Sequence, residues 1–317
     1  MCYTNCMSSN FLISIVIPVY NEEKNIKPLL QTLLPIIKLY QYEVIFVDDG
    51  SSDKTVENIK KETAKSQNIK LISFQRNFGH QMALTAGYEH TSGDCVITLD
   101  ADLQDPPDII PQLIEKWQKG AKIVYAKREK RDVDDSFKKI TAGLFYKYIN
   151  FFSDTPIPKE VGDFRLLDKD VVKFLNGLPE QSRFLRGLTA WGGFPAEYVK
   201  FSREKRRAGQ THYTLSKMLN FALEGITSFS IKPLRLATYL GFITSAFSIL
   251  VILFKSIQHF IFNQGDWLPG WASLFFSIVF LGGVQLITIG IIGEYVGKIY
   301  QEVQNRPKYL IKEKINL

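Results

Sequence analysis

Two stretches near the end of the chain limit its architecture more than anything before them. From Leu236 to Phe254 the run LATYLGFITSAFSILVILF has no charged residue, and neither has LPGWASLFFSIVFLGGVQLITIGIIG, from Leu268 to Gly293. A bilayer is crossed by about 20 mostly apolar residues, and a buried helix of a soluble protein is rarely so long or so uniform. A pair of very apolar core helices is the competing reading. Flanking charge sets the orientation. Arg203, Lys205, Arg206, Arg207, Lys217, Lys232 and Arg235 precede the first run, and Lys298, Arg306, Lys308, Lys312 and Lys314 follow the second. The loop between has Lys255 as its only Lys or Arg, beside Asp266. Positive charge stays on the cytoplasmic side. The expectation is therefore an integral protein of the cytoplasmic membrane with helices over about 234–256 and 268–293. Both termini and the large domain would be cytoplasmic, and Trp267 and Trp271 would sit at the far interface.

Ahead of the hairpin, Leu215, Met218, Leu219, Ala222, Ile226 and Phe229 recur at helical spacing. They predict an amphipathic helix that lies in the membrane interface or packs on the soluble domain. The organisation expected is a cytoplasmic α/β domain over 1–213, a juxtamembrane helix over 214–232, the hairpin over 233–296 and a basic cytoplasmic tail over 297–317. The net charge of +7 favours an anionic partner, which nucleic acid, anionic lipid and nucleotide phosphates all satisfy. The basic residues cluster beside the spans, where anionic lipid accounts for them, so no nucleic acid is expected. Three cysteines without paired spacing suit a reducing compartment, and Cys95, opening the apolar run CVIT, reads as a small buried hydrophobe. The first ten residues lack the basic, apolar and cleavage segments of a signal peptide.

The soluble part alternates strand and helix. LISIVIPV (12–19) is a β-branched apolar run, as expected for a strand buried on both faces. Strands at 42–50, 69–75, 94–100 and 122–128 are separated by helical stretches, which predicts an α/β fold with a parallel, doubly wound sheet. Ligands of such sheets bind beyond the C-terminal strand ends, near the topological switch point. The chemically loaded residues fall there: Pro18 to Glu22, Asp48 to Ser51, Arg76-Asn77, and Asp100-Ala101-Asp102. Ser52 or Asp53 would cap the helix after the second strand. No glycine-rich dinucleotide fingerprint and no Walker loop accompanies these strands, which argues against a dehydrogenase or a P-loop enzyme. Two aspartates one residue apart at a strand end can share a divalent metal with a nucleotide diphosphate, since Mg²⁺ takes one or two carboxylates plus phosphate oxygens.

PVYNEE, VDDGSSD, RNFGH, DADLQDPP, GDFRLL, FLRGL and RRAGQTHY occur in this order. Together they resemble the polyisoprenyl-phosphate branch of glycosyltransferase family 2. The two-span ending, with GEYVGKIYQEVQNRPKY, resembles its bactoprenol glucosyltransferases, and the likeness runs from about 12 to 310. The resemblance implies a GT-A (Rossmann-like) fold, an inverting hexosyl transfer and a divalent metal, Mg²⁺ or Mn²⁺. It implies a nucleotide-sugar donor such as UDP-glucose, an undecaprenyl (polyisoprenyl) phosphate acceptor, and a homo-oligomer. By motif, Pro18, Tyr20, Glu22 and Asp49 would frame the nucleoside, with Arg76 also on the substrate rim. Asp100 would contact ribose or metal, and Asp102 and Gln104 metal and diphosphate. Arg206 would reach over the diphosphate, and Arg128 with Lys138 or Lys139 would receive the lipid phosphate. Asp163 would sit at the reacting centre, the alternative being a structural acid paired with Arg165 or Arg183. His212, Lys138, Lys139 and Thr141 depart from the family's usual Lys, Arg and Ser. A phosphate monoester is largely dianionic at neutral pH, with a second ionisation near pH 6. Asp163 is thus expected to orient the sugar or support its developing charge more than to take a proton. A processive polysaccharide synthase is set aside because no Gln-X-X-Arg-Trp motif is present. A dolichyl-phosphate mannose synthase or an amino-sugar transferase would differ in donor alone, and a non-catalytic membrane scaffold is opposed by the intact Asp100, Asp102, Asp163 and Arg206.

Overall fold

The computed structural model describes residues 11–128, 161–201, 230–260 and 270–317. Residues 214–229 of the expected juxtamembrane helix, together with Lys138, Lys139, Thr141, Arg206, His212 and Trp267, lie outside them.

Strands β1 (Leu12–Val19), β2 (Gln41–Asp48), β3 (Ile69–Phe74) and β4 (Cys95–Thr98) pair in parallel in the spatial order β3-β2-β1-β4. Helices α1 (Ile26–Ile37), α2 (Thr55–Thr63) and α3 (His80–Glu89) make the crossovers. Such runs bury both faces, which is why they read as continuous apolar strings. Ile13, Ile15 and Ile17 pack with Val44 and Phe46 beneath α1 and α2. Val16, Ile45, Val47 and Ile72 face α3 on the other side. The approach of α3 is close: a Cβ on Gly87 would lie 2.2 Å from Val16 Cγ1.

A 3₁₀ turn (Pro107–Ile109) leads into α4 (Ile110–Gln118) and β5 (Ile123–Arg128). Beyond it the parallel expectation needs correction, because the sheet is mixed. Strand β6 (Val161–Asp168) inserts between β4 and β5, antiparallel to both. Its sequence VGDFRLLD carries three charges yet is buried along its whole length, so the apolar pattern that betrays an interior strand is missing. Helices α5 (Lys169–Gly177) and α6 (Leu185–Trp191) follow, and β7 (Ala196–Phe201) closes one edge parallel to β5. Asp168 caps α5 by accepting the Asp170 N–H at 3.0 Å.

Helices α7 (Lys232–Phe260) and α8 (Trp271–Gln304) are long and apolar enough to cross a membrane, over Leu234–Val251 and Ser277–Gln304. Phe242, Phe247, Leu286 and Ile287 turn apolar surface outward, uncovered by the rest of the described chain. With 34 residues at about 1.5 Å each, α8 is about 51 Å long, more than the roughly 30 Å hydrocarbon core.

The segment expected as a basic tail is instead part of the folded domain. Residues 297–304 continue α8, and β8 (Ile311–Ile315) pairs antiparallel with β3 as the sheet's other edge. Tyr309 stacks on Phe74 with centroids 4.9 Å apart and donates its hydroxyl to Glu89. The Asn316 side-chain amide donates to the Thr63 and Ile69 carbonyls at 3.1 and 2.9 Å. At the N-terminal end of the strands Glu43 is buried and accepts from Lys70 Nζ at 2.7 Å, from Ser92 N and Oγ at 2.8 and 2.9 Å, and from the Ser14 hydroxyl.

Candidate active site

The parallel strands run outward from β1 to β3 and then return to β1's other side with β4, so the topological switch lies between β1 and β4. A cavity of about 340 Å³ opens there, walled by Pro18, Tyr20, Glu22, Asp49, His80, Asp100 and Asp102, with Asn77 and Gly79. Backbone geometry shapes each wall. Asn21, left-handed at φ 55°, accepts the Ser52 N–H on its side chain while its own N–H reaches Ser51 Oγ, both at 2.9 Å, locking the β1 loop to the β2 loop. Gly50 has φ +73°, and a Cβ there would fall 2.5 Å from the Arg76 carbonyl carbon, so the turn after Asp49 requires glycine. The cap expected at Ser52 or Asp53 is corrected: the N-cap of α2 is Lys54, which makes no side-chain cap hydrogen bond, and Asp53 one residue earlier accepts the Thr55 N–H at 2.9 Å. Leu103, between Asp102 and Gln104, is held at φ 58°, a costly conformation for a non-glycine residue.

The named acids divide by role. Asp48 is structural, accepting from Ser51 N at 3.1 Å and Ser73 Oγ at 2.8 Å. Asp49, buried yet on the cavity wall, holds the next loop in place by accepting the N–H groups of Phe78 and Gly79 at 2.6 and 2.9 Å. Burial raises its pKa, and those two N–H groups offset part of the rise. Asp102 accepts the Gln104 N–H at 3.1 Å, and the Gln104 side chain is not among the cavity walls. Arg76 stands outside the cavity: its guanidinium lies over the Phe78 ring, 4.1 Å from the centroid, and donates to the Asn77 carbonyl. Arg128 ends β5 with Nη2 3.6 Å from the buried Asp105 and close against Gly162, one residue from Asp163.

Asp163 is at the centre, on β6, almost wholly buried. The pairing weighed from the sequence, with Arg165 or Arg183, is corrected. Arg186, from FLRGL on α6, makes a two-pronged contact, Nε to Oδ1 at 3.0 Å and Nη2 to Oδ2 at 2.8 Å. His80, the first residue of α3, places Nε2 3.3 Å from Asp163 Oδ2 and 3.9 Å from Asp100 Oδ1. Arg183 instead caps carbonyls of Leu175 and Leu178. Arg165 is fully buried beside Asp163 and Tyr88, contributing charge from below. Burial alone would raise the Asp163 pKa, but Arg186 and His80 outweigh it and hold the carboxylate well below its usual range. Desolvation raises Asp100, with repulsion from Asp163 and Asp102 adding to the rise and His80 opposing it. Desolvation lowers His80, and the two carboxylates more than reverse that, so its pKa rises. Arg186 and His80 lie in motifs visible in the sequence. Only chain folding shows that segments about 100 residues apart meet on one carboxylate.

A divalent cation fits this rim. Asp100 and Asp102 stand together on an open wall, and their mutual repulsion is what a cation would relieve. Among the described residues no three His, Cys, Asp or Glu side chains group as a protein-only metal cage. Two carboxylates with room for phosphate oxygens is the pattern of a metal bound jointly by protein and diphosphate.

A mixed α/β sheet with its cavity at the switch point and an Asp-X-Asp pair on the rim is the GT-A arrangement of a nucleotide-sugar transferase. The chain belongs to glycosyltransferase family 2: the pattern described as Glycosyl transferase family 2 matches residues 14–175. It is 46% identical over 303 residues to the bactoprenol glucosyl transferase of Shigella phage SfII, covering 95% of this chain and 97% of that one. An uncharacterised glycosyltransferase of Synechocystis is also 46% identical, over 95% of each chain. The prophage bactoprenol glucosyl transferase homolog of Escherichia coli K12 is 43% identical, over 95% and 98%. Among solved structures the chain is similar to glucosyl-3-phosphoglycerate synthase of Mycobacterium tuberculosis, with a TM-score of 0.46 and 19% identity over 69% of this chain and 78% of that one, a likeness too distant to carry an argument.

Proposed function

We propose that the protein transfers glucose from UDP-glucose, with inversion, to the phosphate of undecaprenol or a related polyisoprenol at the cytoplasmic face of the membrane. The observation that carries this reading is the extent of the similarity to bactoprenol glucosyl transferases. It spans 95% of this chain, and so includes the apolar hairpin as well as the cavity. A polyisoprenyl tail stays in the bilayer, so an enzyme acting on its headgroup must be held at the interface.

In this reading the acceptor phosphate oxygen attacks the anomeric carbon as the bond to the departing UDP breaks. The acceptor is already a dianion near neutral pH, so no proton has to be removed from it. Asp163, held ionised by Arg186 and His80, is a weak base and suits a different task, facing the positive charge that develops on the sugar. Tyr20, Glu22 and Asp49 frame the nucleoside, and Arg76 lies next to that wall. Arg128, with Lys138, Lys139 and Arg206, gathers the two anionic reactants. Asp100 and Asp102, with Gln104 beside them, would hold Mg²⁺ or Mn²⁺, which when bound supplies neutralisation of the leaving diphosphate. The active form is a homo-oligomer.

The test is transfer from a panel of labelled UDP- and GDP-sugars to undecaprenyl phosphate in detergent, with Mg²⁺ or EDTA, for wild type and Asp102→Ala. The expected result is metal-dependent labelling of the lipid from UDP-glucose, lost in the variant. Labelling from another donor would reassign the sugar. No labelling by folded protein from any donor would overturn the assignment.

A further inference from the structure

The last turn of α8 makes a contact that the transfer chemistry does not require. Glu302 accepts the backbone N–H of Gln181 at 2.9 and 3.0 Å on its two oxygens, and that of Ser182 at 3.1 Å. Gln181 also donates its side-chain amide to Asn305, the left-handed residue that ends α8, at 2.7 Å. An acid near a helix C-terminus opposes the helix dipole, so its position there needs a compensating interaction, and these N–H groups are one. The loop so held runs from α5 straight into α6, where Arg186 is the second residue. On its other side the loop is fastened one residue from His80 by Gln81, whose side-chain Oε1 accepts the Leu185 N–H at 3.1 Å. Arg186 therefore approaches Asp163 from a segment fixed at one end by the catalytic sheet's helix α3 and at the other by α8, the helix that carries the second apolar span.

We propose that Glu302 is a positioning residue of the transferase: by gripping the loop ahead of α6 it sets the Arg186 guanidinium on Asp163, so that α8 helps to assemble the site it anchors. Glu302 touches no reacting group. Its effect passes through the Arg186–Asp163 pair, and the inference rests on the transfer reaction proposed above only for its kinetic readout.

The experiment compares Glu302→Ala and Glu302→Gln in the full chain, each in the wild-type and in an Arg186→Ala background. Folding is checked by melting in detergent. Loss of alignment away from the reacting atoms commonly costs about 10- to 100-fold. The expected result is a kcat fall of that size for Glu302→Ala, with donor KM changed less than about threefold. Glu302→Gln, which keeps an acceptor oxygen, should recover most of the loss, and Glu302→Ala should add less than about twofold once Arg186 is already gone. Hydrogen exchange of the Gln181 and Ser182 amides should quicken in Glu302→Ala while the sheet amides stay protected. Equal losses from Glu302→Ala in both backgrounds, or an unaltered kcat, or unaltered exchange at these amides, would overturn the proposal. Exchange needs no substrate, so a wild type that transfers nothing would count against the reaction assignment while the grip on the loop was still decided.

Discussion

Asp163 shows how a single carboxylate takes its character from its partners. Buried without them it would be driven toward its neutral form; with Arg186 bridging both oxygens and His80 beside one, it stays charged far below the usual range. Asp163→Asn keeps the shape and removes the charge, and should lower kcat by about 10²–10³-fold with donor KM little changed. Arg186→Lys, which cannot make the two-pronged contact, should fall between that variant and wild type. The acid limb of the wild-type pH profile should track the acceptor's second phosphate ionisation, near pH 6, and no limb should appear in the ordinary aspartate range. Single-turnover rates against pH check both expectations; a limb at about pH 4 that vanishes in Asp163→Asn would show that Asp163 titrates like an ordinary carboxylate.

At the scale of elements, the sheet is held at its two ends by different means. The C-terminal strand ends are tied by loop-to-loop hydrogen bonds that leave a cavity between them. The N-terminal ends close on Glu43, whose carboxylate joins β1, β2, β3 and the turn before β4. Burial pushes the Glu43 pKa up, but Lys70, Ser14 and Ser92 together bring it below its ordinary 4.5. With the folded value depressed, this group's stabilisation is complete above the ordinary value and is lost as pH falls through the folded one. Glu43→Gln should lower the melting temperature at pH 7 and flatten the decline between pH 5 and about pH 3 relative to wild type. Parallel melting curves across that range for the two proteins would refute the role. Strand β6 marks the limit of pattern reading at this scale. Its Asp163, Arg165 and Asp168 interrupt the apolar run that exposes β1 and β2, and only its partners on both sides make it interior.

For the whole molecule, β8 links fold to membrane topology. The chain leaves the catalytic domain before α7 and returns after α8 to hydrogen-bond with β3. A strand cannot join that sheet from the other side of a bilayer, so two crossings, a hairpin, satisfy both the apolar runs and the pairing. Flanking positive charge then leads us to expect that the common side is the cytoplasmic one. In a background with Cys2 and Cys6 replaced by serine, a cysteine substituted for Gln264 should react with an impermeant maleimide on intact cells. One substituted for Lys312 should react only after permeabilisation, and the reverse pattern would exclude the hairpin orientation.

Much of this protein follows from local order along its chain. The β-branched runs of β1 and β2, the acids and turns at their ends, and the uncharged stretches that became α7 and α8 all act over a few residues, and a few residues are enough to read them. The motifs around Asp49, Asp100, Asp102 and Asp163 were equally plain, because each is a short string at a strand end or on a strand. Contacts made across long loops were left to tertiary structure. It decided that Arg186 and His80, in place of Arg165 or Arg183, hold Asp163, that Arg76 turns from the cavity onto Phe78, that β6 runs against its neighbours, and that the basic tail is an edge strand. Apart from the local turn of Arg76 onto Phe78, the physical reason is common to these cases. Which charge meets which carboxylate, and which edge a strand completes, depends on distances between segments 20 to 240 residues apart, set only when the whole sheet has closed.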